Sequence, residues 1–289
     1  MDLKFARQSL QLQHLLVCAG FLGLVAAALV SIGCQSVPVS ERRQLVLVSA
    51  AEENKMGLTA YQEVLKKEPV TNNETAADLV RRVGQRIAAV ADRPDFNWEF
   101  NVIDAETQNA FCLPGGKVAV YAGILPICQN EAGLAVVMSH EIGHAIARHG
   151  GERITHQMVQ NKVKDGVAFL MRDSKDTTQK IVLTAYGAGA QYGAILPYSR
   201  KHELEADQIG IMLMARAGYD PSEAPIFWER FAGQKDAAAP MEFLSTHPSD
   251  ARRSSALREV LPEAMRLYEN AAEKTGTGQS MDDVIDSGN

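Results

Sequence analysis

Val136-Val137-Met138-Ser139-His140-Glu141-Ile142-Gly143-His144-Ala145-Ile146-Ala147 sets H-E-x-x-H inside an apolar run. The pattern predicts a helix, because Leu134, Val137, Met138, Ile142, Ala145 and Ile146 recur at three- and four-residue spacing. Histidines four apart lie one above the other on a single helix face. Two imidazoles so placed can grip one Zn²⁺, each at roughly 2.0–2.1 Å. Glu141, beside the first of them, reaches a metal-bound water as general base. Glu131 at the amino end and Arg148 at the carboxyl end suit the helix dipole. Three fixed residues in five also arise by chance, with His140 and His144 as ordinary histidines, so a third ligand must decide.

Zinc catalysis uses three protein ligands and one open position. One class of site continues to H-E-x-x-H-x-x-G-x-x-H. Here Ala147 and Gly150 hold the glycine and final histidine positions, and His149 misses by one residue, which excludes that class. The other class takes a glutamate from a later helix. His202-Glu203-Leu204-Glu205-Ala206-Asp207 offers Glu203 and Asp207 on one face, so that one binds metal while the other supports the site. A ligating imidazole donates its second N–H to such a carboxylate. Glu205 points about 200° away from Glu203 on an ideal helix and is the weaker candidate. A solvated acidic face is the competing reading, opposed by the apolar Ala206, Ile209, Ile211 and Leu213.

Around these helices the pattern predicts a mainly α protein with a small β-sheet, an α+β fold. Residues 34–74 read as a tether and a helix around 57–66, residues 75–274 as the main domain, and 275–289 as a disordered tail. Thr75–Ala91 is an amphipathic helix, preceded by capping chemistry at Thr71-Asn72-Asn73. Trp98–Val102 alternates as a strand, Asn109–Gly116 reads as a turn, and Lys117–Tyr121 as a second strand. Pro114 and the paired glycines before it suggest a sheet edge. Such an edge beside a metal holds a substrate backbone as an added strand; a plain structural hairpin accounts for it equally. Residues 152–195 suggest two further helices. Gly218, Asp220, Pro221 and Glu223 mark one helix end and the boxed start of another, and His247-Pro248 opens the last.

The 289 residues are 46% hydrophobic and 22% charged, enough for a well-buried core. A net charge of −6 and only 6% aromatic residues argue against a nucleic-acid partner. Residues 1–33 stand apart: Lys4 and Arg7 precede an uncharged apolar run, Leu15–Val30, as in an export signal. Gly33-Cys34 then suggests a bacterial lipoprotein signal with Cys34 lipidated, although Ser31 stands where leucine is usual. Ser36 suits sorting to an outer membrane, and an uncleaved anchor in the inner membrane is the alternative. Cys112 and Cys128 would face an oxidising compartment, either bridged or as two buried thiols.

Four motifs in order carry a family likeness: Asn109-Ala110-Phe111 with Leu113-Pro114-Gly115-Gly116, His140-Glu141-x-x-His144, Ser199-Arg200 with Glu203-x-x-Ala206-Asp207, and His247-Pro248 with Arg253. Over about residues 75–260 the chain resembles the HtpX/BepA/LoiP-type zinc metallopeptidases of peptidase family M48, relatives of the CAAX prenyl proteases. The resemblance implies a minimal gluzincin domain with one Zn²⁺ per chain on His140, His144 and Glu203, supported by Asp207. It implies a zinc endopeptidase acting on misfolded or stalled envelope and outer-membrane proteins. With the Cys34 reading, the expected place is the periplasmic face of the outer membrane. A chaperone-like outer-membrane assembly factor with a little-used zinc site is the rival. His247 and Arg253 are candidates to stabilise the oxyanion; His247 alternatively fills the open metal position, or merely starts a helix.

Overall fold

A computed structural model describes residues 34–170, 200–233, 247 and 251–286. A hairpin of β1 (Cys34–Ser36) and β2 (Arg43–Leu45) leads into α1 (Ala50–Lys67) and α2 (Glu74–Val90). Both helices start on the side chains their sequences offer. Ser49 and Glu52 form a reciprocal capping box, and Asn73 accepts from the Ala76 amide. Strands β3 (Glu99–Ile103), β4 (Ala110–Leu113) and β5 (Lys117–Tyr121) follow, then the short α3 (Leu125–Cys128). Helices follow: α4 (Glu131–Ile146), α5 (His149–Leu170), α6 (200–216), α7 (Glu223–Ala232), α8 (Ala251–Glu269) and α9 (Met281–Asp286). This is the expected mainly helical α+β architecture. Among the described residues no helix is long and apolar enough to cross a membrane. The second helix expected before residue 195 lies outside the described residues.

α4 is the centre of the core. Every residue from Glu131 to Ile146 except His144 is buried, as an all-round apolar helix must be. It packs on α2, β4, α5 and α7. Each of Leu134, Val137, Met138 and Ile142, all fully buried, contributes roughly 1.5–3 kcal/mol. Its crossing with α6 is close: a Cβ on Gly143 would lie 2.9 Å from the Ala206 carbonyl oxygen, and one on Gly210 3.0 Å from the His140 amide nitrogen. That contact brings the second acidic motif against the histidine helix.

Four expectations differ from the structure. The sheet order is β3-β5-β4, so Lys117–Tyr121 is the central strand and not an edge. It pairs parallel with β3 and antiparallel with β4, so among the described residues β4, which the sequence places in a turn, is an outer strand of this sheet. Only Pro114-Gly115-Gly116 turns, with Gly115 and Gly116 at φ +86° and +78°. Glu223 does not complete a capping box; its carboxylate pairs with Arg230 at 2.8 Å. The tail expected to be disordered is folded through α9, with Met281 and Val284 buried. Cys112 and Cys128 are free, buried thiols, and burial pushes the Cys128 thiol up to about 12.

Candidate metal centre

α4 delivers His140 and His144 on one face, α6 delivers Glu203, and His247 precedes α8. Their ligand atoms lie within 4.8 Å of one another. His140 Nε2 and His144 Nε2 are 3.1 Å apart, and each is 3.4 Å from an oxygen of Glu203. His247 Nδ1 lies 3.1 Å from both Glu203 oxygens and 3.3 Å from His140 Nε2.

The neighbours of each ring nitrogen assign its proton. His140 Nδ1 is 2.9 Å from Asp207 Oδ1 and donates to it, leaving Nε2 bare. His144 Nδ1 is engaged at 2.8 Å by His149, so its Nε2 also faces the cluster. Two ring nitrogens this close, each with a lone pair directed inward, repel unless a cation lies between them. Tetrahedral zinc bonds of roughly 2.0–2.1 Å set two nitrogens roughly 3.3 Å apart, close to the spacing here. The charges agree. Glu141, Glu203 and Asp207 are buried, and Arg253 is the guanidinium beside them among the described residues, so their carboxylate charge outweighs it and a divalent cation would balance the difference. Burial pulls His140 down, yet Asp207 and Glu203 raise its pKa to about 9, so in the absence of a metal the carboxylates favour a proton on the ring, whose place a cation takes. Burial alone would raise Glu203, but His140, His144 and His247 hold it far below the usual carboxylate range. These residues fit zinc.

Glu141 is 4% exposed, and its Oε1 has no hydrogen bond of its own, lying 3.4 Å from His247 Nε2. Burial raises its pKa, which favours a carboxylate that takes up a proton and gives it back. Arg253 reaches the site from behind. Its Nε and Nη2 clamp both oxygens of Asp207 at 2.7 Å, and its Nη1 is 3.1 Å from Glu203. The guanidinium lies 3.6 Å over the Trp228 ring. It thus holds two carboxylates in place, a different task from the oxyanion contact expected of it. Asp207, pushed up by burial and drawn down by Arg253, sits at about 2 and stays ionised for His140.

Sequence reasoning missed a further layer. By spacing alone His149 is a ligand one residue out of register and Glu205 a carboxylate facing away. In the structure they meet at 2.8 Å directly behind His144. Arg42, from the hairpin, pairs with Glu205 and Glu152, each at 2.8 Å. No local pattern announces a partner more than a hundred residues away.

The chain matches Peptidase family M48 over residues 74–261. It is 40% identical over 232 residues to the mitochondrial metalloendopeptidase OMA1 of Schizosaccharomyces pombe, covering 79% of this chain and 66% of that protein. It is 31% identical over 253 residues to the Saccharomyces cerevisiae enzyme of the same name, covering 81% and 71%. With the beta-barrel assembly-enhancing protease of Escherichia coli K12 it shares 27% over 288 residues, 94% of this chain and 59% of that one. These shares correct the expected location. The mitochondrial enzymes are more similar than the bacterial protease, so a lipoprotein on the periplasmic face of an outer membrane is not supported. The misleading signal was short: an apolar run before Gly33-Cys34 is a pattern of one small residue and one cysteine, without the usual leucine. The zinc-type donor set, the buried base beside it and a match covering most of the chain agree: this chain belongs to Peptidase family M48 and is a zinc metallopeptidase of that family.

Proposed function

We propose that this chain is an endopeptidase that cleaves extended segments of misfolded or stalled membrane proteins, envelope and outer-membrane chains among them. The observation that carries the reading is Glu141, a buried carboxylate aimed into the donor set with one oxygen uncommitted. A structural zinc site needs no such base beside it. Zinc, when bound by His140, His144 and Glu203, supplies a Lewis acid that polarises the scissile carbonyl and activates water. Glu141 takes the proton of the attacking water and returns it to the amine as the C–N bond breaks. Asp207 and Arg253 hold His140 and Glu203 in register. The strand β4, outermost in its sheet among the described residues and packed against α4, accepts an extended substrate as an added strand, which favours unfolded chains over folded ones. The substrate class draws on the beta-barrel assembly-enhancing protease, whose name couples proteolysis to beta-barrel assembly.

Casein and an unfolded porin, incubated with wild type and Glu141→Gln, test this. Wild type should cleave both, and the variant should retain zinc and bind without cleaving. Binding without cleavage by either protein would support the assembly-factor reading instead.

A further inference from the structure

His144 presents Nε2 to the donor set, and its other nitrogen faces away, toward a cluster that the catalytic reading leaves unused. Nδ1 of His144 and Nδ1 of His149 are 2.8 Å apart, so one proton lies between them. Since Nε2 of His144 is the ligating atom, that proton sits on His144 Nδ1 and His149 Nδ1 accepts it. His149 then carries its own proton on Nε2 and donates it to Glu205 Oε2, again at 2.8 Å. A second proton on His149 would set N–H against N–H, so the geometry admits one tautomer for each ring.

The chain continues into the N-terminal hairpin. Arg42 Nε lies 3.1 and 2.9 Å from the two oxygens of Glu205, and Ser40 Oγ donates to the same carboxylate. The other arms of Arg42 grip Glu152 at 3.0 and 2.8 Å. His202 donates to Glu152 at 3.0 Å and stacks on His149 with ring centroids 4.2 Å apart. His149, Glu152, His202 and Glu205 are all buried. The guanidinium stands between the two carboxylates and engages both of them, and the group with metal-ligand geometry among the described residues is His140, His144, Glu203 and His247 instead. Arg42 and Ser40 lie outside residues 74–261, the part that matches the family.

We propose that Arg42, Glu205 and His149 form a positioning relay for the zinc ligand His144, which makes the N-terminal hairpin part of the metal centre. Glu205 fixes the His149 tautomer, and His149 fixes the His144 ring so that Nε2 points at the metal. A mere fastening of the hairpin needs Arg42 and its two carboxylates. It does not need an imidazole whose free nitrogen accepts from a ligand. The proposal rests on His140, His144 and Glu203 being the zinc ligands.

The test uses the full chain and reads zinc affinity by competition with a chromogenic chelator, together with the visible spectrum of the cobalt-substituted protein. His149→Leu should weaken zinc binding roughly 10–100-fold and shift the cobalt bands. His149→Asn, whose Oδ1 can accept from His144 Nδ1, should recover most of that loss. Arg42→Met should move both readouts the same way by a smaller factor. Glu53→Gln, which loosens the separate tie between α1 and Arg148, controls for general destabilisation and should leave the cobalt spectrum unchanged. Should His149→Leu fail to fold, His149→Asn and Glu205→Gln carry the comparison, with the cobalt bands expected to move most in Glu205→Gln. Wild-type zinc affinity and an unshifted spectrum in a folded His149→Leu or Glu205→Gln variant would overturn the relay, as would an equal loss in Glu53→Gln. Failure of the wild type to bind zinc would instead overturn the ligand assignment beneath it.

Discussion

His247 stands among the ligating atoms: its Nδ1 is as close to Glu203 as a hydrogen bond, and its Nε2 is 3.4 Å from the base Glu141. A ring in that position occupies the space that water and a carbonyl need, which favours the resting-state ligand among the three roles open in the sequence. His247→Ala should therefore keep zinc on the remaining three ligands and raise basal casein cleavage. A fall of roughly 10²–10³-fold with full zinc occupancy would reassign the ring to the transition state. Asp207 makes a different prediction. Asp207→Asn leaves Arg253 buried without its bidentate partner and deprives His140 of a charged acceptor. Zinc affinity should fall roughly 10–100-fold, and stability by about 3–5 kcal/mol, since one member of a buried pair is lost. Chelator competition and urea unfolding measure the two separately. At this scale the sequence was legible wherever spacing on one helix settles facing. His140 with His144, and Glu203 with Asp207, follow from the 3.6-residue period alone. His149 does not, because it lies past the end of α4, where Arg148 at φ +56° turns the chain and breaks the period.

An element as buried as α4 needs its first four N–H groups satisfied, and its own sequence supplies only part of that. Asn130 accepts from Gly133 with its side chain and from Leu134 with its carbonyl. The Glu131 and Ala132 amides instead donate to Gln279 and Thr277 carbonyls at 2.9 Å. The tail thus caps the zinc helix, and Glu131 returns the contact by accepting from the Gln279 amide, Arg82 and Tyr219. Thr275-Gly276-Thr277-Gly278 reads as disorder by composition. Its glycines in fact supply turns: Gly278 adopts φ +68°, and a Cβ there would lie 2.6 Å from Glu131 Cβ. Composition cannot see a long-range cap, which is why the tail was illegible while the local caps at Ser49 and Asn73 were plain. Truncation after Lys274 should lower stability by about 2–4 kcal/mol, as two helix amides and Glu131 lose partners. Calorimetry should show the drop, and a Tm unchanged by truncation would mean that α4 needs no such cap.

Across the whole molecule, elements adjacent in sequence do not make the site; α4, α6, α8 and the hairpin converge on it from positions spread over two hundred residues. Periodicity gave the helices and their faces. The order β3-β5-β4 and the hairpin's seat depend on partners distant in sequence, so no single segment encodes them. That seat depends on charge, which yields a test by pH. Burial alone would raise Glu152, but His202 and Arg42 draw its pKa from 4.5 down to about 2. A carboxylate depressed in the folded state contributes its full stabilisation above its unfolded pKa and loses it as pH falls through the folded one. The window is therefore pH 4.5 to 2, and the contribution of Glu152 is at most about 3 kcal/mol. In Arg42→Met the depression should shrink, so stability measured in urea should be lower at pH 7 and fall less steeply between pH 4.5 and 3. Working with zinc-free protein under chelator keeps acid release of metal out of the slope. If wild type and Arg42→Met lose stability in parallel across that window, the hairpin is not held to the metal centre by this charge.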